Sequence, residues 1–495
     1  MIVLSLMAGV SDAQKIIQYT SGMGARSSTN GNVWVLFGGV RASHEGMTLT
    51  SDSAHFDVEE NSFEAFVNVA IKLTDTTYIY GERLYYDGNT RVLDIWDDTV
   101  IMIDGRTTLL ANHLTYERDA STAYYTEWGY ATSENRLLYS EQGEYRAGQK
   151  QFYIYNDVYL TDSSSTLTTD TLLYNTETKI AHFSSPTNIV SDKSRIYSEL
   201  GDYQTDTRYA VSYKASHVDN EGRSIDCDTL YYRDDQQYGR AFGHVVIVDS
   251  VNDITCTGGY GETRQDSNCS FVTDSALVVF VDEGDSLYLH ADTVSLFLDS
   301  ANNLRAVRAN YHVKMYRKDA QAMCDSAHYW AEDSLMTMFG SPALWYEHYQ
   351  CTADTISVQH DTTGVKRAVL NDNCFAIEQV DADKYNQVKG RKGVVYFKRG
   401  EPDYADVLGN AQMVYYITET DTTDRSYLLG ANVGVGTDMR IYFDSTRAPS
   451  RVVTFENPDM QTYPVNAVPE SQKRLQGFRW LSFKRPRKPE DVFVW

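Results

Sequence analysis

The chain has 495 residues, with 44 Lys+Arg against 68 Asp+Glu and a formal net charge of −24. That balance argues against a nucleic-acid partner, because neutralising phosphates needs clustered Lys and Arg. With 37 Tyr, 31 Gly and only 9 Pro, the composition suits pleated, half-buried strands closed by Gly and Asp turns. Few stretches carry apolar residues at helical spacing, so the body reads as nearly all β.

The chain opens on "MIVLSLMAGVSDAQK", an apolar stretch from Ile2 to Val10 followed by Ser11-Asp12-Ala13 before Gln14. This pattern matches the apolar core and small-residue cleavage site of a secretory signal, although no basic residue precedes it. Residues 1–13 are therefore expected to be a signal segment, with a buried first strand as the alternative. No other segment has the length of apolar sequence that a membrane-spanning helix needs.

From about residue 20 one short pattern recurs. "LTSDSAHFD" (Leu49 to Asp57) is followed by "IYGERLYYD" (Ile79 to Asp87) and "LLANHLTYE" (Leu109 to Glu117). Aligned on the central polar residue, the copies fall at Asp52, Glu82, Asn112, Glu141, Asp170, Glu199, Asp228, Gly259, Asp292, Asp325 and Asp354, with gaps of 29 to 33 residues. Such steadiness marks a solenoid or related array. An earlier copy centres on Gly24, and degenerate later ones surround "QVKGRKGVVYF" and "GTDMRIYFD" (Gly436 to Asp444).

Three residues before the anchor stand Leu49, Ile79, Leu109, Leu138, Leu167, Ile196, Ile225, Cys256, Leu289, Ala322 and Cys351, all apolar. One before it every residue is small. Four after it come Phe56, Tyr86, Tyr116, Tyr145, Tyr174, Tyr203 and Tyr232, with Tyr329 further on. Strand side chains alternate between faces, so apolar residues at both odd and even offsets require the interior face to change at the anchor. A bulge or corner there does this. Asp52, Glu82, Asn112, Glu141, Asp170, Glu199, Asp228, Asp292, Asp325 and Asp354 are read as structural bend markers. The stretch "LFGGVRASHEGMTLTSD" (Leu36 to Asp52) shows a whole unit as turn, strand, turn at His44-Glu45-Gly46, strand and bend.

A turn of the type F-x-G-N-V, a strand, and then [I/L]-x-A-D-x-[A/L]-x-[Y/F] resembles the OstA-like family, which includes periplasmic lipopolysaccharide-transport bridge proteins. "FGGVRASHEGMTLTSDSAHFD", "LHADTVSLF" and "CTADTISV" carry the resemblance, and the periodicity runs over residues 20–445. The resemblance implies an all-β, elongated, repetitive β-jellyroll, a V-shaped folded sheet or β-solenoid-like array. It implies that lipopolysaccharide or a similar amphiphile slides its acyl chains along an apolar groove, without covalent chemistry or cofactor. It also implies a periplasmic location, edge-to-edge strand pairing with other β-jellyroll transport proteins, and an outer-membrane partner. This chain departs from the family in its length and its tail.

On this reading residues 14–445 form one continuous array, divisible into two or more stacked modules. The groove lining is expected from Leu49, Ile79, Leu109, Leu138, Leu167, Ile196, Ile225 and Leu289 on one side. Phe56, Tyr86, Tyr116, Tyr145, Tyr174, Tyr203, Tyr232 and Tyr329 face them. A filled core built from the same columns is the alternative, which makes the protein a closed interaction scaffold of the envelope. A carbohydrate-active β-helix is a third possibility, since acids are spread along the whole array.

Other chemistry finds little support. Calcium-binding β-helices use G-G-x-G-x-D repeats, and only "GGYGET" (Gly258 to Thr263) echoes one. "DEGDS" (Asp282 to Ser286) and "DTTD" (Asp421 to Asp424) fall where turn tips are expected. The His residues show no HExxH spacing, the six Cys form no CxxC pair, and no metal is expected. "SGMGARS" and "GVGTD" lack the strand–loop–helix context of a phosphate site, and no G-x-S-x-G motif occurs. Residues 446–495 form a distinct tail, Pro-rich, with the basic, aromatic run "KRLQGFRWLSFKRPRKP" (Lys473 to Pro489). It reads as a cap over the last β-edge or as a contact for anionic headgroups or an acidic partner.

Overall fold

A computed structural model of the protein describes residues 16–220, 222–264, 267–281, 285–361, 364–420 and 426–495. The expected signal segment and the acid run Asp421 to Asp424 lie outside the described residues, as do Asp282 to Gly284. Among the described residues are 38 β-strands and four short 3-10 helices, with every strand pairing antiparallel. Among the described residues no helix is long and apolar enough to cross a membrane. The chain divides into two compact units, residues 1–221 with 228–235 and residues 222–227 with 236–495.

In the first unit the strands Val33–His44, Met47–Asp57, Ser62–Lys72, Thr77–Asp87, Val92–Asp104 and Thr107–Glu117 follow one another as hairpins. Each anchor-to-anchor repeat is therefore two strands. Some turns take two residues, as at Glu45-Gly46, both with positive φ (46° and 84°), the geometry whose twist matches a hairpin. Turns at the opposite end of the strands are built on Asx side chains. Asp57 Oδ1 accepts from the backbone N–H of Glu59 at 2.9 Å, and Asn175 Oδ1 from that of Glu177 at 2.9 Å; a short polar side chain here replaces a backbone turn bond.

Midway along each strand the ladder breaks. Register shifts fall between Phe37/Val40, Phe66/Val69 and Tyr155/Val158. Opposite each of these breaks stands an anchor: Asp52, Glu82 and Asp170. The extra residues lie on the neighbouring strand, where two consecutive residues are left-handed: Gly38-Gly39, Val67-Asn68 and Asn156-Asp157, with Asp274-Ser275, Tyr311-His312 and Asp372-Asn373 repeating the device in the second unit. For a non-glycine residue this conformation costs roughly 1–2 kcal/mol, and the ladders on both sides hold it. "FGG" is thus a bend inside one strand, where the sequence suggests a turn between two.

The bend turns the sheet on itself and moves the interior face by one residue. Met47, Leu49 and Ser51 are buried before Asp52, and Ala54 and Phe56 after it. Each unit consequently has a first wall, made of the strand halves that precede the anchors and their partners, and a second wall made of the halves that follow. Anchor side chains point outward and take donors from the left-handed residues beside them. Asn68 Nδ2 donates to Asp52 at 2.9 Å, Asn373 Nδ2 to Asp354 at 3.0 Å, and His312 Nδ1 lies 2.9 Å from Asp292.

In the second unit the strands run from Tyr238–Asp249 to Ser426–Phe443, and then Pro449–Phe455 and Asp459–Pro464. The array thus reaches Pro464, past the expected boundary at 445. Residues 465–495 then strap back over the outer face of the first wall. Gln387 donates to the Lys473 carbonyl at 2.8 Å and accepts from the Leu475 N–H at 2.9 Å. Gln350 does the same with Arg479 and Leu481, both at 2.7 Å. Gln321 accepts from Arg485 Nε at 2.6 Å. All three amides are buried, and beside them Leu475, Phe478 and Trp480 pack on Phe375, Ile377 and Tyr385.

Candidate functional site

The two apolar columns face the interior of their units. Leu49, Ile79, Leu109, Leu138, Leu167 and Ile196 are buried, as are Ile225 and Leu289 in the second unit. Phe56, Tyr86, Tyr116, Tyr145, Tyr174, Tyr203 and Tyr232 are buried opposite them, and Tyr329 is half-buried.

In the first unit the tyrosines do more than fill space. They sit near the tips of the second wall, and their hydroxyls reach groups at the tips of the first. The Tyr86 hydroxyl lies 2.6 Å from His44 Nδ1 and accepts from Arg118 at 2.8 Å. Tyr145 donates to Asp104 at 2.8 Å, and Tyr203 to Ser165 at 3.2 Å. Ion pairs continue the row: Lys150 to Asp104 at 2.5 Å, Arg91 to Glu45 at 2.8 Å and Lys179 to Glu134 at 3.1 Å. Arg136 joins Thr205 at 2.8 Å and pairs with Asp206. The mouth of the fold is bridged along this unit. Burial raises the phenols of this column above their usual range, as at Tyr86 and Tyr203, and Tyr174 to about 12, so they stay protonated at pH 7.

In the second unit the column four after the anchor changes to Thr263, Leu296, Tyr329 and Val358. Two cavities lie in this unit; Tyr329 lines one of them, and Thr263, Leu296 and Val358 line neither. One cavity of about 170 Å³ is lined by Leu344, Leu370, Val388, Val407, Met413 and Ile441, with Cys351 and Cys374. A second, of about 300 Å³, is lined by Phe280, Leu287, Leu289, Leu304, Met315, Tyr329 and Met336, with His328, His360 and Arg317. The apolar surroundings push the Cys351 thiol up to about 12 and the Cys374 thiol up as well, and burial lowers both histidines. These four groups are therefore neutral at pH 7 and suit a hydrocarbon ligand, whereas Arg317 and Asp285 bring charge to the lining of the larger cavity. Arg447 lines the smaller cavity. It pairs with Glu347 from the tip of the first wall and with Glu401 from the second, and its guanidinium lies 5.9 Å from the Tyr346 ring centre.

The sequence columns thus converge on one interior per unit, but they do not distinguish filled from hollow. Arg447 and the mouth-bridging ion pairs lie outside the repeat columns and were not legible. Among the described residues, no group of three or more His, Cys, Asp or Glu is placed to hold a metal ion.

Residues 15–165 and 152–228 match the model of a family described as OstA-like protein. No curated protein matches the chain. Among solved structures the chain is similar to LptH, the LptA homologous periplasmic component of the conserved lipopolysaccharide transport device from Pseudomonas aeruginosa. The identity is 12%, covering 30% of this chain and 96% of that one, with a TM-score of 0.23. A score that low carries no residue role from one protein to the other.

Proposed function

With residues 15–228 OstA-like in sequence, we propose that the protein is a non-enzymatic component of the Gram-negative cell envelope that binds and passes on lipopolysaccharide-like amphiphiles. Its place is the periplasm. Acyl chains enter the interior between the two walls while the polar headgroup stays in water. The observation that carries this reading is the apolar cavity of the second unit lined by Leu344, Leu370, Val388, Val407, Met413 and Ile441, which a closed scaffold of the same columns does not need.

In the first unit the leucine and tyrosine columns line the same interior, and passage there requires the tyrosine bridges to open. Hand-over to other β-jellyroll proteins of the envelope, and towards an outer-membrane partner, uses open strand edges. Among the described residues Gln18–Thr20 and Met23–Arg26 pair with Val33–His44 alone, and Pro449–Phe455 and Asp459–Pro464 with Ser426–Phe443 alone. Unpaired edges of this kind accept a further strand.

The test is titration of the full chain with lipopolysaccharide carrying a fluorescent acyl chain. Val388→Phe places a ring in the smaller cavity. Displacing about two methylenes, near 0.8 kcal/mol each, is expected to weaken binding about tenfold. Absence of saturable binding by the unsubstituted chain favours the closed scaffold instead.

A further inference from the structure

The strap over the second unit has two sides with different chemistry. Its inner side is fixed by Gln387, Gln350 and Gln321 and by the packing of Leu475, Phe478 and Trp480. Pro486 and Val492 are buried as well. Its outer side carries Arg479, Arg487 and Lys488, all exposed, and Phe483, whose surface is 80% exposed. No acid interrupts the chain from Lys473 to Pro489. Phe483 has the most exposed large apolar side chain among the described residues, it stands among cations, and Val494 at the end of the strap is exposed too.

We infer that the outer side of the strap is a docking ridge for a membrane surface bearing anionic phosphate headgroups, with Arg479, Arg487 and Lys488 meeting the phosphates and Phe483 entering the acyl boundary. The combination of cations and an exposed aromatic is what an anionic interface selects. Phosphate alone would take the cations but leave Phe483 without a partner. An acidic polypeptide would likewise gain little from the ring.

The net charge of −24 does not forbid this contact. Screening at physiological ionic strength acts over about 8 Å, so the membrane responds to the face it meets and not to acids elsewhere on the chain. Two acids flank the ridge: Glu490 lies 3.9 Å from Lys488, and Asp491 accepts from the Arg487 N–H at 2.8 Å. It is therefore the excess of Arg479, Arg487 and Lys488 over Glu490 on the exposed face that the membrane meets. The inference is independent of what the interior carries.

The experiment is flotation of the full chain with vesicles of phosphatidylcholine containing 30% phosphatidylglycerol, and with phosphatidylcholine alone. Binding is expected to the anionic vesicles only, and to fall with added salt. Each cation near the surface contributes about fivefold, so R479E/R487E/K488E is expected to reduce partitioning on the order of 100-fold or more. F483A, at an exposed position and compatible with folding, is expected to reduce it without altering the salt dependence. Equal binding to neutral vesicles, or binding unchanged by both variants, overturns the inference. Retention on polyglutamate without flotation does so too, by making the partner an acidic polypeptide. Competition by inorganic phosphate beyond its ionic-strength effect points to a free anion and likewise overturns it.

Discussion

Tyr145 donates its hydroxyl to Asp104 at 2.8 Å from one wall of the folded sheet to the tip of the other. The same carboxylate takes Lys150 at 2.5 Å and the Thr77 hydroxyl at 3.2 Å. Asp104 is buried, so its charge is held by these three partners. Removing the carboxylate with Asp104→Ala strands the buried hydroxyl and leaves Lys150 unpaired, at an expected cost of about 2–4 kcal/mol. Tyr145→Phe, which loses one donor, is expected to cost about 1–2 kcal/mol. Because they share partners, the double variant is expected to lose less than the sum. Urea unfolding of the three variants checks this; additive losses would show that the two residues act separately.

Alkaline pH is expected to open the first unit. The buried phenols ionise in the fold at higher pH than in the unfolded chain, with Tyr125 and Tyr174 moved from 10.0 to about 12 by burial. The folded state therefore holds these protons more tightly. The stabilisation is complete below pH 10 and is lost as the pH rises from 10 towards 12. Tyrosinate absorbance and circular dichroism, followed together, are expected to change in one cooperative step. Ionisation of all tyrosines near pH 10 with the β-signal intact is the contrary outcome.

The strap depends on its glutamines. Gln350 is fully buried and makes two bonds to the strap backbone. Gln350→Leu removes both while leaving the Arg479 carbonyl and Leu481 N–H without that partner, an expected loss of about 1–3 kcal/mol in strap docking. Limited proteolysis after Arg479 or Arg487 is expected to be faster in this variant, with the array itself still resistant. An unchanged cleavage rate would mean that the apolar contacts of Phe478 and Trp480 suffice.

Much of the architecture was legible because the repeat is strict. Leu49, Ile79, Leu109 and their successors mark the interior of one wall, and Tyr86 to Tyr232 that of the other. Their unlike offsets from the anchor demand a face change at Asp52 and its counterparts. What the pattern lacked was the strand that carries the bend. Val67-Asn68 and Tyr311-His312 adopt left-handed geometry without a glycine; Asn68 and His312 are residue types that tolerate it, but Val67 and Tyr311 do not announce it, and the ladders around them impose it. The strap was visible as a basic, Pro-rich run, but its path depends on Gln321, Gln350 and Gln387, which lie outside the interior columns. Side chains on the outer face have no periodic constraint, and only the tertiary contact gives them meaning. The cavities of the second unit are lined by residues outside the column four after the anchor, Tyr329 excepted, so that column does not announce them.

The central claim is that acyl chains occupy the interior between the walls. Photo-crosslinking in cells with labelled lipopolysaccharide tests it most directly, from probes at Leu109, Leu138 and Leu167 in the first unit and Leu289 and Val388 in the second. Tyr130, exposed on the outer face, serves as control. Lipid adducts are expected from Leu289 and Val388, with weaker ones from the bridged first unit and none from Tyr130. Adducts from no interior position, or equally from Tyr130, would contradict the account.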